Sequence, residues 1–117
     1  MTKRSSVPVE PLAEFELLVL LAALHLGSDE AYTVSIADDI AERTGRPVRR
    51  ANVFTTLQRL EAKGLVSTRL GESRPERGGR PRRLVVVTAP GLASVRATTN
   101  AIQTMAGRVK GLSGDTR

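Results

Sequence analysis

Arg49-Arg50-Ala51-Asn52-Val53-Phe54-Thr55-Thr56-Leu57-Gln58-Arg59-Leu60-Glu61-Ala62-Lys63-Gly64-Leu65-Val66 is the stretch on which the fold turns. Val53, Phe54, Leu57 and Leu60 recur at i, i+1, i+4 and i+7, which makes one apolar stripe of a helix. Asn52, Thr55, Thr56, Arg59 and Lys63 fall away from that stripe. Short polar and cationic side chains on an outer face can reach base edges and phosphates. Gly64 supplies a left-handed exit from the helix. Most amphipathic helices with Arg and Thr outside are only solvated, so the neighbours of this one decide how it is read.

Upstream, residues 11–26 predict a first helix. Pro11 suits a first turn, and Glu10, Glu14 and Glu16 sit where the helix dipole favours acids. Leu12, Phe15, Leu18, Val19, Ala22 and Leu26 form one face, which Leu17, Leu20, Leu21 and Leu24 widen, so the helix is buried on more than one side. Gly27 ends it. A second helix is expected from about Thr33 to Thr44, with Val34, Ala37, Ile40 and Ala41 inside. Gly45 stops it, and Pro47 prevents a restart. Helix, turn and cationic helix in this order form a helix-turn-helix.

Downstream, strand composition at residues 65–70 and 83–88 brackets a Gly/Arg/Pro loop, which predicts a hairpin immediately after the cationic helix. Its position there makes it a wing. Arg74, Arg77, Arg80 and Arg82 in the loop suit a minor groove or the phosphates beside it. Residues 89–112 predict a long last helix. Val95, Ile102 and Val109 share one heptad position, and Thr98, Met105 and Leu112 the other. Such a helix overreaches its own small domain, so its apolar seam implies a second subunit. Phe15, Val95, Ile102, Met105, Val109 and Leu112 are the expected dimer contacts.

Composition narrows the function. The chain has 117 residues, a length that makes one domain the default. Two Phe, one Tyr and no Trp leave an aliphatic core. The absence of Cys removes disulfides and thiolate metal sites, and the single histidine, His25, leaves no metal set of ordinary ligands. With no nucleophile–base pair and no paired carboxylates in an evident pocket, no catalytic residue is expected and the chain does not read as an enzyme; no cofactor is expected. The longest apolar run, residues 17–24, falls short of the roughly 20 residues a membrane span needs, and no signal peptide is evident. A cytoplasmic protein is expected. The net charge is +6, unevenly spread: residues 43–83 hold twelve basic and three acidic residues, leaving +9 there and −3 elsewhere. A basic centre of that kind is a footprint for a polyanion.

The string 15–24, then Ala31-Tyr32, the run 42–46, the run 53–66 and the Gly-Gly-Arg wing at 75–83 together resemble the PadR family of transcriptional regulators. The similarity runs over about residues 12–95. It implies a dimeric winged-helix DNA-binding protein, usually a repressor on a palindromic operator, of the short form with a single C-terminal helix. Where the family usually has Tyr after the Val of the recognition helix, this chain has Phe54. Where tyrosines usually follow the basic pair of the wing, it has Leu84 and Val85.

The fold expected is therefore mainly α with a small β-hairpin: a winged helix-turn-helix plus a long C-terminal dimerisation helix. Residues 1–9 form an N-terminal arm, 10–88 the DNA-binding domain, 89–112 the dimerisation helix and 113–117 a tail. Asn52, Thr55 and Thr56 are the expected base readers. Arg49, Arg50, Arg59 and Lys63 are the expected phosphate contacts, with Arg74, Arg77, Arg80 and Arg82 on the wing. Partners are double-stranded DNA, a second copy of the chain and a small-molecule effector, with no membrane. The alternative reading is a winged-helix protein-interaction or RNA-binding module without sequence-specific DNA recognition.

Overall fold

The computed structural model describes residues 11–73 and 81–112. The elements run α1 (Glu14–Leu26), α2 (Thr33–Thr44), α3 (Arg50–Ala62), β1 (Val66–Ser73), β2 (Pro81–Val87) and α4 (Ala89–Ala106). Expected wing loop residues Arg74, Arg77 and Arg80, the N-terminal arm and the tail lie outside the described residues.

Local chemistry sets the boundaries. The first helix starts at Glu14 rather than Pro11, because the Glu16 carboxylate turns back to accept the Ala13 N–H at 3.0 Å and so closes the first turn. Ser35 does the same for Tyr32 at the start of α2. Gly45 ends α2 in the left-handed region, φ 72°. At the end of α3, Gly64 takes φ 78° and the Leu65 N–H reaches back to the Leu60 carbonyl at 2.9 Å. That six-to-one closure brings Leu60 and Leu65, both buried, together under the turn.

The core is aliphatic, as composition requires. Val19, Leu20, Ile36, Val53, Leu60 and Val66 are fully enclosed where α1, α2, α3 and the base of the hairpin meet. The strands are antiparallel, pairing Val66 with Val87, Thr68 with Val85 and Leu70 with Arg83, with an irregularity before Ser73 pairs Pro81. They run further toward the tip than their β-branched composition indicated. The Val85 N–H donates to Ala31 O at 2.8 Å, which ties the wing to the α1–α2 turn.

α4 is stitched on just as tightly at its start. Thr88 accepts the Gly91 N–H at 3.1 Å as its cap and donates to Gly64 O at 2.7 Å. A Cβ at Gly91 would collide with the Leu65 carbonyl oxygen, so only glycine permits this approach. The helix is shorter than its heptad pattern predicts. It ends at Ala106, where Gly107 breaks the run and Arg108 takes φ 69°. Among the described residues no helix is long and apolar enough to cross a membrane.

Candidate nucleic-acid interface

Burial divides the residues of α3 into two faces. Val53, Thr56, Leu57 and Leu60 point into the core. Arg49, Arg50, Asn52, Thr55 and Arg59 are exposed. No acid sits in the first turn and no side chain caps it, so the positive end of the helix dipole and two arginines coincide. Neither Arg49 nor Arg50 has an ion-pair partner among the described residues.

Two residues are the reverse of what their pattern indicated. Thr56, expected to read bases, is only 5% exposed. It lies one turn from Val53 and Leu60 on the buried side of the helix, away from any base edge. Phe54, placed by spacing in the apolar stripe, is 50% exposed. The buried face is centred between Val53 and Leu60, which leaves Phe54 at its edge, beside the hairpin.

Lys63 is turned inward. Its ammonium donates to Glu16 Oε2 at 3.0 Å, joining the end of α3 to the start of α1. Burial of Glu16 works to raise its pKa. That is outweighed by the Ala13 N–H, then by Lys63, with the Arg59 charge adding to them, and the carboxyl is held below its ordinary value. Lys63 is therefore engaged as a strut, and Arg59 lends part of its field to the same acid.

The hairpin shows the same sorting. Arg82 does not extend from the wing. Its guanidinium stacks 4.3 Å above the Tyr32 ring and lies 3.7 Å from Glu30, with the side chain 21% exposed. Arg69 reaches Asp29 at 2.8 Å and the Ser28 carbonyl at 3.2 Å. Arg46 pairs with Glu14, and Arg43 with Asp39. The acids of the N-terminal part, Glu14 to Asp39, thus fold back onto the basic centre. Hydrogen bonding to Arg46, and then its charge, lowers the Glu14 pKa.

Two exposed groups escaped the sequence reading. Gln58 lies three residues from Thr55 and four from Phe54, on the outer side of α3. A full helical projection of 50–63 would have placed it there. Arg83 is exposed on the hairpin face next to α3; its Nη1 donates to the Thr68 hydroxyl at 3.0 Å, which donates to Glu61 at 3.2 Å. Strand alternation sets Arg83 on the opposite face from Arg82.

Of the expected dimer contacts, Val95 is buried in its own subunit, 5% exposed, and Phe15 is half-buried against the same core. The first turns of α4 pack on α1, so the early part of the seam is used internally. Beyond that point Ile102, Met105, Val109 and Leu112 are exposed, Met105 at 79%, and form one apolar patch with Ala101 and Ala106.

Comparison with known proteins agrees with this geometry. The model of the transcriptional regulator PadR-like family matches residues 20–97. A PadR-family regulator from Eggerthella lenta DSM 2243 superposes with a TM-score of 0.62 at 23% identity, covering 79% of each chain. A PadR-like regulator from Bacillus cereus strain ATCC 14579 gives 0.65 at 16% identity, covering 86% of this chain and 94% of that one. A Streptococcus transcriptional regulator gives 0.66 at 16%, covering 88% and 98%. At these identities the structures establish the shared fold. No curated protein matches in sequence.

Proposed function

The chain belongs to the transcriptional regulator PadR-like family, and from that premise we propose that it is a homodimeric repressor that binds an inverted-repeat operator in duplex DNA in the cytoplasm. One observation carries the reading: among the described residues, Arg49 and Arg50 at the start of α3 have no acidic partner and stand beside exposed Asn52 and Thr55, although most other described cations nearby are tied to acids. Each subunit sets its α3 in a major groove, the two about 34 Å apart for a twofold site. Asn52 and Thr55 face base edges, while Arg49, Arg50 and the exposed Arg59 hold phosphates. The wing arginines Arg74, Arg77 and Arg80 contact the flanking backbone.

The patch of Ile102, Met105, Val109 and Leu112 supports the dimer, because four exposed large apolar side chains on the last turns of α4 and the segment just after it are costly in water until covered. A small molecule lodged between α1 of one subunit and α4 of the other would alter the angle between the two α3 helices, and with it operator affinity. Repression follows from occlusion of a promoter.

The test is retention of genomic fragments by the purified protein under excess non-specific competitor, followed by sequencing. Recovery of an inverted repeat is expected. A dimer touching ~8 phosphates gives a slope of log K against log salt near −7, and a slope near −2 overturns the arrangement. Equal retention of all fragments, or of none, moves the search to protein or RNA partners.

A further inference from the structure

Between α3 and the hairpin lies an open groove of about 410 Å³. Phe54, Leu57 and Val85 give it an apolar floor, and Thr33, Gln58, Glu61, Thr68 and Arg83 give it a polar rim. Phe54 stands half out of it. Half of the phenyl ring stays in contact with solvent, whereas Val53, Leu57 and Leu60 on the same helix are buried. Gln58 follows Phe54 by one turn, so the two side chains emerge as neighbours, with Cβ atoms about 5–6 Å apart. Arg83 is held at the rim by the Thr68 hydroxyl, which Glu61 anchors in turn.

We propose that Phe54 and Gln58 act together as a reader of adenine and thymine, in addition to Asn52 and Thr55. The assignment rests on duplex DNA binding as proposed above. The Gln58 amide matches the acceptor–donor pair that adenine presents in the major groove, N7 and N6. The Phe54 ring offers the apolar contact that the thymine methyl takes from side chains, a group that cytosine and uracil lack. Arg83 and Glu61 balance each other at the groove, and the cationic excess that suits this occupant comes from Arg49 and Arg50 at the start of the same helix. A duplex seated on α3 places its sugar–phosphate backbone between helix and wing, where Arg83 waits. Phe54 has no hydroxyl to give a phosphate, so its contribution is discrimination between bases rather than uniform affinity.

The experiment uses the full chain and the site recovered from genomic DNA. Binding is compared across single-base variants of the half-site, and on DNA in which each thymine is replaced in turn by deoxyuridine. Gln58→Ala is expected to lose about 5- to 100-fold of discrimination at one A·T position while non-specific binding stays as it is. For the unaltered protein, one thymine-to-uracil change should cost about fourfold, the worth of one buried methyl. Phe54→Ala should be blind to that change, and Phe54→Leu should keep part of it. Both residues are exposed, and an unchanged thermal midpoint confirms that the variants fold. If Phe54→Tyr tightens every sequence alike and no uracil position matters, position 54 serves the backbone and the assignment is overturned. If Gln58→Ala preserves every base preference, the assignment also falls while DNA binding stands. If the unaltered chain recovers no preferred site, both the assignment and the reading beneath it are wrong.

Discussion

The two ends of α3 carry similar residues and do different work. Its start, Arg49, Arg50, Asn52 and Thr55, faces solvent with no acid within ion-pairing distance among the described residues. Its end leads into Lys63, Arg69 and Arg82, and all three are bound to partners from α1 or the α1–α2 turn. Counting charge along the chain treats these cations alike. The fold separates them into one group available to a polyanion and another that fixes where the helix and wing stand. A DNA-reading helix needs both: free charge to bind and fixed charge to hold the angle at which it binds.

The sharpest way to break this contrast is Arg49→Ala with Arg50→Ala. A dimer then loses four contacts, and operator affinity should fall by about 100-fold or more, with the salt slope reduced by ~0.9 per contact. Titration at several salt concentrations checks it; an unchanged slope means the start of α3 does not meet phosphate.

Glu16→Gln tests the other end. The Lys63 ammonium no longer faces a carboxylate at position 16, and urea unfolding at pH 7 should show a loss of about 1–2 kcal/mol, below the value for a fully buried pair because Lys63 is partly in water. The sign with pH follows from the lowered Glu16 pKa. Its contribution is complete above the ordinary value of 4.5 and disappears as pH falls through the lower folded value. The variant should therefore lose less stability than the parent on acidification through that window. Parallel curves would show that Glu16 and Lys63 are not coupled.

The smallest effect sharpens the distinction instead. Arg69→Ala and Arg82→Ala, each removing a cation already matched by an acid, should change operator affinity by less than about threefold. A loss as large as that of the Arg49 and Arg50 pair would mean that these arginines leave Asp29, Glu30 and Tyr32 to meet DNA.

The sequence by itself determined the order of elements and most of their ends. Gly27, Gly45 and Gly64 punctuate the helices through local backbone preference, and the helical and strand periods are written within a few residues of each other. The family, too, was legible from the joined pattern of α3 and wing. The tertiary structure alone decided which side chains remain available. Lys63 meets an acid 47 residues away, Arg69 one 40 away and Arg46 one 32 away, and no local period records such pairs. Thr56 went inside and Phe54 outside because the centre of the buried face was set by how α1 and α2 press on α3. Val95 was taken by its own core for a similar reason, since Gly91 lets α4 approach Leu65 closely. Heptad spacing shows that an apolar seam exists, but only packing shows where one subunit stops using it.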